Sequence, residues 1–276
     1  MNAGALSDGT IQRLLNLQAK TWQPTEWMVH HTYRTLLRDG DNGVDGGAHT
    51  GLHSEGMARY TPSGTVYAFE PNPLILPTLR NNLNDSGLSN IVLFESALAD
   101  AFGVMTFLSH KTSSPLSGLF VSPGRSEEEY EKHTVVSVSL DMALEKSGPI
   151  RFIKLDLEGH ELFCLYGAWG IIKYNRPYIT FEYGRTHDPL GGEADIFGFL
   201  RGLGYAIFDP FFRPYGPDYF KHFADDARIF PMNFVACPIE RLDELATATM
   251  QIASELESLP NDVILAAVAS NFRRTS

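Results

Sequence analysis

Between Val44 and Glu55 the chain reads VDGGAHTGLHSE, a glycine-dense turn behind a single acid, Asp45. Gly46, Gly47, Ala48 and Gly51 carry little or no side chain. A ligand can touch the main chain there, and a helix starting beyond the turn offers unpaired amides. A plain tight turn uses the same residues, and the spacing is not the G-x-G-x-x-G of dinucleotide folds. Glu70 follows in YAFEPNP, at the end of an apolar run. A carboxylate in that place can accept both hydroxyls of a ribose. An exposed strand-end acid is the plainer account of Glu70 alone. Taken together, Asp45, the bare turn and Glu70 suit one ligand, an adenosine with a short polar tail.

A second group of acids lies further on. In IKLDLEGHE, Ile153, Leu155 and Leu157 are interrupted by Asp156 and Glu158, and ITFEYG ends on Glu182. A carboxylate at a buried strand end costs several kcal/mol unless it is paired, so its presence suggests chemistry. Lys154 is the structural partner that would explain it without chemistry. Asp156, Glu158 and Glu182 are expected along one rim beside the glycine turn.

These residues need a scaffold that brings strand ends together. The segment from Leu6 to Arg38 reads as two helices separated by Pro24, each with an apolar stripe. Strand and helix patterns then alternate: GVDGG, HSEGMARY, GTVYAFEP and NPLILPTLRNNLNDSG, in which Pro77 should kink or restart the helix. NIVLFESALAD reads as a third strand. TVVSVSLDMALEKSG reads as a strand and a short helix, IRFIKLDLEG as a strand, and HELFCLYGAWGII as its helix. RPYITFEYG, EADIFGFLRGLG, YAIFDP and NFVACP complete the series, and an amphipathic tail follows. Such alternation demands a mostly parallel sheet with helices on both faces, binding ligands beyond its C-terminal strand ends.

The stretch from His110 to His133 has little periodicity and reads as a long loop, a candidate lid with Leu116, Leu119, Phe120 and Val121 as its apolar contacts. Its acidic run, Glu127 to Glu131, reads as a solvated helix turn. Aromatic residues among prolines, Phe211, Phe212, Tyr215, Tyr219 and Phe220, are read as an opposite wall, with core packing as the competing account.

Composition narrows the classes. The apolar share of 43% over 276 residues supplies a substantial core. A formal net charge of −11 leaves no cationic excess for phosphate, so no nucleic-acid partner is expected. Cys164 and Cys237 are far apart and fit neither a disulfide framework nor a zinc site, so both are read as buried thiols. No apolar run has transmembrane length and no signal pattern opens the chain, so a cytoplasmic protein without membrane partners is expected.

VDGGAHTG, YAFEPNP, SNIVLFESALAD, VSVSLD, FIKLDLEGHE and RPYITFEYG, in that order, resemble the FkbM family of S-adenosylmethionine-dependent methyltransferases over roughly Asp39 to Tyr183. The resemblance implies an α/β class I methyltransferase (Rossmann-like) fold: a seven-stranded, mostly parallel sheet with helices on both faces, the last strand antiparallel. With the helical patterns outside the resemblance, the chain reads as an N-terminal helical extension over 1–38, a catalytic domain over 39–238 and a C-terminal helical segment over 239–276 packed on it. S-adenosylmethionine is the implied cofactor. Asp45, Gly46, Gly47 and Ala48, with Gly51 closing the turn, would hold its methionine part, and Glu70 its ribose with Asn72 alongside. Ser96 and Ala97 would lie near the adenine, and Asp156 beneath the sulfonium or the acceptor. His49 departs from the small polar residue more usual in the family, which gives it a possible extra role.

The implied reaction is O-methylation of a hydroxyl on a natural-product or sugar-like small molecule. Asp156, Glu158, Glu182 and His160 are the candidate catalytic groups, with His110 and His187 as further histidines. A metal-assisted version places Mg²⁺ on Asp156, Glu182 and Asp188. Competing readings are methylation of an amine, an NAD(P)-dependent oxidoreductase and a noncatalytic nucleotide-binding module. The terminal helices could form a homodimer or cover the site.

Overall fold

A computed structural model describes residues 5–21, 24–112, 117–121, 125–183, 193–216 and 232–263. Its centre is a seven-stranded sheet in the order β3-β2-β1-β7-β8-β10-β9. The strands are β1 (Asn42–Gly46), β2 (Val66–Phe69), β3 (Ile91–Phe94), β7 (Ile150–Leu155), β8 (Tyr178–Tyr183), β9 (Tyr205–Phe208) and β10 (Met232–Pro238). β10 runs antiparallel to both β8 and β9, while β3, β2, β1, β7 and β8 are mutually parallel. The order reverses at β1, which pairs β2 on one side and β7 on the other. Ligands of open α/β sheets bind at the carboxyl ends on either side of that point.

β4 (Ala97–Leu98), β5 (Gly103–His110) and β6 (Tyr130–Val138) form a separate three-stranded sheet in the order β4-β6-β5. The expected third strand therefore divides: Ile91–Phe94 stays in the main sheet and Ala97–Leu98 leaves it for β6. The expected loop from His110 to His133 is shorter than it reads. Tyr130 to His133 pair with Phe107 to His110 as a hairpin, and Glu127–Glu129 form a single 3-10 turn closed by a Ser126/Glu129 capping box. Leu116 lies outside the described residues.

The helices are α1 (Asp8–Thr21), α2 (Pro24–Leu36), α3 (Leu52–Tyr60), α4 (Leu76–Asp85), α5 (Leu140–Ala143), α6 (Glu161–Tyr166), α7 (Trp169–Asn175), α8 (Glu193–Gly202) and α9 (Leu242–Ser258). Pro77 sits in the first turn of α4, where its missing N–H costs nothing, so it starts the helix instead of kinking it. The single helix expected from HELFCLYGAWGII is two, broken at Gly167. A Cβ there would lie 2.1 Å from the Ala99 carbonyl oxygen, so this position passes too close to a neighbouring strand to carry a side chain.

Strand alternation splits the core into two layers. Phe152 and Tyr178 face the terminal helices: Tyr33 of α2 sets its ring against Phe152, and the Tyr178 hydroxyl donates to Glu244 of α9. Phe181 and Phe234 face the opposite way, against Phe197 of α8. Leu14, Met28, Tyr33 and Ile252 join the same apolar cluster as the sheet, so α1, α2 and α9 share its core. Phe211 and Phe212 are fully buried in that cluster, which corrects their reading as a binding wall. Tyr215 stacks on Phe197 at 4.1 Å, while Tyr219 and Phe220 lie outside the described residues. Cys164 and Cys237 are buried free thiols. Among the described residues no helix is long and apolar enough to cross a membrane.

Candidate active site

The glycine turn leaves β1 at the switch point, and protein packing accounts for much of its composition. Gly47 has φ +73°, and a Cβ there would lie 1.9 Å from the carbonyl oxygen of Asp156. Gly51 has φ +93°, and a Cβ would press on Leu79 and Leu83 of α4. These glycines let the turn sit against the loop after β7 and against α4. The turn's amides are also less open than the sequence suggests. Gly47 N and Ala48 N both donate to the Phe69 carbonyl at 3.0 Å, His49 N donates to Glu70, and Gly51 N to Ala48 O. The start of α3 remains for a ligand: Gly51 provides no side-chain cap, and the first N–H groups of a helix have no intrahelical partner.

Glu70 is buried with its two oxygens each held by one main-chain amide, Oε2 by His49 N and Oε1 by Asn72 N, both at 2.8 Å. Each oxygen keeps a second lone pair for a ribose hydroxyl. Burial pushes its pKa up to about 7 against these hydrogen bonds and the Lys154 charge. Asn72 is occupied in shaping the turn: its Oδ1 accepts from Leu74 N at 3.1 Å and from Ser109 Oγ at 2.8 Å. Ser96 Oγ is buried without a hydrogen-bond partner among the described residues, and Ala97 follows it at the start of β4. An orphaned hydroxyl and a carboxylate with two open lone pairs, next to an uncapped helix start, fit an adenosine-type cofactor.

A buried ion cluster joins this half of the site to the next. Asp45 is fully buried at the end of β1 and accepts from Ser54 Oγ at 2.5 Å. Lys154, its register partner on β7, places Nζ 3.1 Å from the Gly47 carbonyl, 3.4 Å from Asp45 and 3.5 Å from Asp156. Burial works to neutralise Lys154, but the charges of Asp156, Asp45 and Glu26 outweigh it and keep the ammonium protonated. Lys154 is thus the structural partner of both acids and ties the glycine turn to β7.

The carboxyl groups of Asp156, Glu158 and Glu182 meet within 4.8 Å of one another. The expected rim is therefore one cluster. Glu158 takes a left-handed φ of 53°, and Gly118, from the segment read as a lid, packs against its Cβ. Burial raises the pKa of Glu182 well above the carboxylate range, and the neighbouring Asp156, Glu158, Glu161 and Glu26 raise it further. Like charges this close resist ionising together, so the neutral form of Glu182 is favoured. That state argues against Glu182 as the base.

His160 is buried between Phe163, stacked at 4.6 Å, and Phe120 at 5.6 Å. Burial pushes its pKa down to about 4, and neither ring nitrogen has a hydrogen-bond partner among the described residues. His49, at φ 49°, is kept toward its neutral form by burial, opposed by the nearby Asp156. His110 sits in the hairpin, against Tyr130 and 3.6 Å from Glu129. His187 and Asp188 lie outside the described residues, and Glu158 takes the third place beside Asp156 and Glu182.

One part of the site was not read from the sequence. Glu26 of α2 reaches His53 Nε2 with Oε2 at 2.7 Å and accepts from Asn233 Nδ2 with Oε1 at 2.9 Å. The four-residue spacing of Glu26 from His30 reads as an ordinary helix surface, and nothing local links it to His53 or Asn233. The acidic residue in the first turn of an otherwise apolar buried face was the available signal.

The chain matches the model of the methyltransferase FkbM domain over residues 45–207, more than half its length. No curated protein sequence matches it. Solved structures similar to it include an FkbM methyltransferase from Methylobacillus flagellatus, at 19% identity and TM-score 0.48, covering 84% of this chain. This chain spans only 56% of that protein's length. An rRNA methylase from Streptococcus thermophilus is 16% identical with TM-score 0.47, covering 78% of this chain and 95% of its own. Aeropyrum pernix fibrillarin, with natively bound S-adenosyl-L-methionine, is 11% identical with TM-score 0.42, covering 72% of this chain and 67% of its own. On the match across residues 45–207, the chain belongs to the FkbM methyltransferase domain family.

Proposed function

We propose that the protein methylates a hydroxyl group of a natural-product or sugar-like small molecule, using S-adenosylmethionine. The observation that carries this reading is the junction at the switch point. Glu70, the glycine turn and Ser96 suit the adenosine, and Lys154 ties that turn directly to Asp156 in the carboxylate cluster. S-adenosylmethionine, when bound, supplies a methyl group on a sulfonium, an electrophile that needs no activation by the protein.

The chain's task is alignment and proton removal. Alignment of the acceptor oxygen is worth on the order of 7–11 kcal/mol, and a placed base adds about 10²–10⁴-fold. Asp156 is the candidate proton acceptor. It is partly exposed at the strand end, and the Lys154 ammonium lies 3.5 Å away. Burial and the neighbouring carboxyl groups disfavour the ionised form of Glu182, which limits the like charge gathered in the cluster. The segment Gly118–Phe120 covers Glu158 and His160 and supplies the apolar side of the acceptor site.

The crowding of carboxyl groups favours one second reading. A positively charged partner, either the amine of an N-methylation acceptor or a divalent cation such as Mg²⁺ on Asp156, Glu158 and Glu182, would relieve it. A mass-shift screen with isotope-labelled S-adenosylmethionine against hydroxyl and amine acceptors, with and without EDTA, tests both. Labelling of a hydroxyl acceptor that survives EDTA supports the first reading, and labelling of amines alone overturns it. Loss of turnover with EDTA favours the cation.

A further inference from the structure

The N-terminal helix α2 and strand β10 both lie outside the matched residues 45–207, yet α2 sends Glu26 to His53 inside them, and Asn233 of β10 donates to that same Glu26. Glu26 and Asn233 are joined by a 2.9 Å hydrogen bond, and Glu26 holds His53 at 2.7 Å. Asn233 is in turn the register partner of Glu182 across β8 and β10. His53 is the second residue of α3, the helix that issues directly from the glycine turn, and its neighbour Ser54 donates to Asp45 at 2.5 Å. The start of α3 is therefore fastened at two adjacent residues. One anchor is to β1 inside the family segment, the other to α2 outside it. His53 and Asn233 are both more than nine-tenths buried, and His53 Nδ1 has no hydrogen-bond partner among the described residues. A buried imidazole with one free nitrogen is expensive to keep. Apolar side chains would dock α2 on α3 at lower cost.

Resting on the methyltransferase reading, we propose that Glu26 is a positioning residue. Through His53 it sets the start of α3, and so the glycine turn that receives the methionine end of the cofactor. The N-terminal helices are thus part of the cofactor site. Glu26 also adds its charge to the field around Lys154 and Glu182, which couples the helix to both halves of the centre.

The test uses the full chain with Glu26→Gln, His53→Leu, His53→Gln and the double variant Glu26→Gln/His53→Leu. Arg34→Ala is the control, because it removes the Arg34–Glu255 pair between α2 and α9 without touching Glu26. Hydrogen exchange in the ligand-free protein is the first readout. Glu26→Gln and His53→Leu should speed amide exchange over residues 49–55 by about tenfold, with α8 unchanged, and the double variant should be no worse than either single one. His53→Gln, whose carboxamide can donate to Glu26, should recover part of the protection. Exchange unchanged over that segment, or raised equally by Arg34→Ala, overturns the proposal.

Calorimetric affinity for S-adenosylmethionine is the second readout. It should weaken by about tenfold in Glu26→Gln and stay near wild type in Arg34→Ala at a matched loss of melting temperature. Equal weakening in both variants overturns it as well. A wild-type protein that binds no S-adenosylmethionine sinks the proposed function and with it the cofactor half of this inference. The exchange result still decides whether Glu26 sets the turn.

Discussion

Glu70 and Glu182 are both half or wholly buried carboxyl groups at the ends of strands in one sheet, and burial raises the pKa of each. Their surroundings differ. Glu70 receives a main-chain amide on each oxygen, which brings its pKa back to about 7. Glu182 faces Asp156 and Glu158 within 4.8 Å, and burial with these like charges raises its pKa well above the carboxylate range. The side proposed for the cofactor is built in advance, its carboxyl group held by fixed backbone donors. The side proposed for the acceptor is crowded with carboxyl groups whose mutual repulsion a bound group would relieve. Preorganisation on one side and electrostatic tension on the other are what alignment and proton removal each require.

The comparison can be broken most severely at the joint between the halves. Gly47→Ala places a methyl group on the Asp156 carbonyl at a left-handed backbone position, and should cost about 3 kcal/mol or more. Urea denaturation measures it, and a loss below about 1 kcal/mol would mean the close approach is not real. Next in size, Asp156→Asn should lower turnover of an identified acceptor at least about 10²-fold and leave S-adenosylmethionine affinity within a few fold. Steady-state kinetics beside calorimetry separate the two, and unchanged turnover removes Asp156 from the mechanism.

Glu70→Gln keeps the shape and removes the charge and one acceptor. Cofactor affinity should fall by about 10- to 100-fold, as read by calorimetry. Glu182→Gln should do the least, because burial and the neighbouring acids already disfavour the ionised form of the group it replaces. The sign follows from its raised folded pKa. Wild-type Glu182 binds a proton in the folded state that the unfolded chain releases above about pH 4.5, so its burial costs stability progressively as pH rises. Glu182→Gln should therefore melt slightly higher than wild type at neutral and alkaline pH, and no higher at about pH 4. A thermal-shift series across pH reads this, and a large loss at neutral pH would show that Glu182 is ionised.

Much of this centre could be read from the chain because strand alternation and glycine placement are local signals. Asp45, Glu70, Asp156 and Glu182 each end an apolar run, and the parallel order of the strands then forces them to one edge. The reason for Gly47 was not local. Its neighbour is the Asp156 carbonyl, brought there only by the pairing of β1 with β7. Phe211 and Phe212 read as exposed because prolines surround them. In the fold Asp209 binds the amides of Phe211 and Arg213, curling the loop so that both rings turn into the core. The second half of β6 reads as a strand in TVVSVS, but its charged start, Tyr130 to His133, was hidden because it alternates without an apolar partner set. Glu26, His53 and Asn233 were invisible for a different reason. Their link spans the whole chain, and each alone has the look of a helix or strand surface.

The most direct measurement is calorimetric titration of the wild-type protein with S-adenosylmethionine at about pH 8 and about pH 6. With the Glu70 pKa near 7, binding that uses its ionised form should be saturable at the higher pH and weaken by about tenfold at the lower one, with proton release on binding. No heat at either pH, or an affinity indifferent to Glu70 and to pH, would contradict the assignment of this strand-end site to the cofactor.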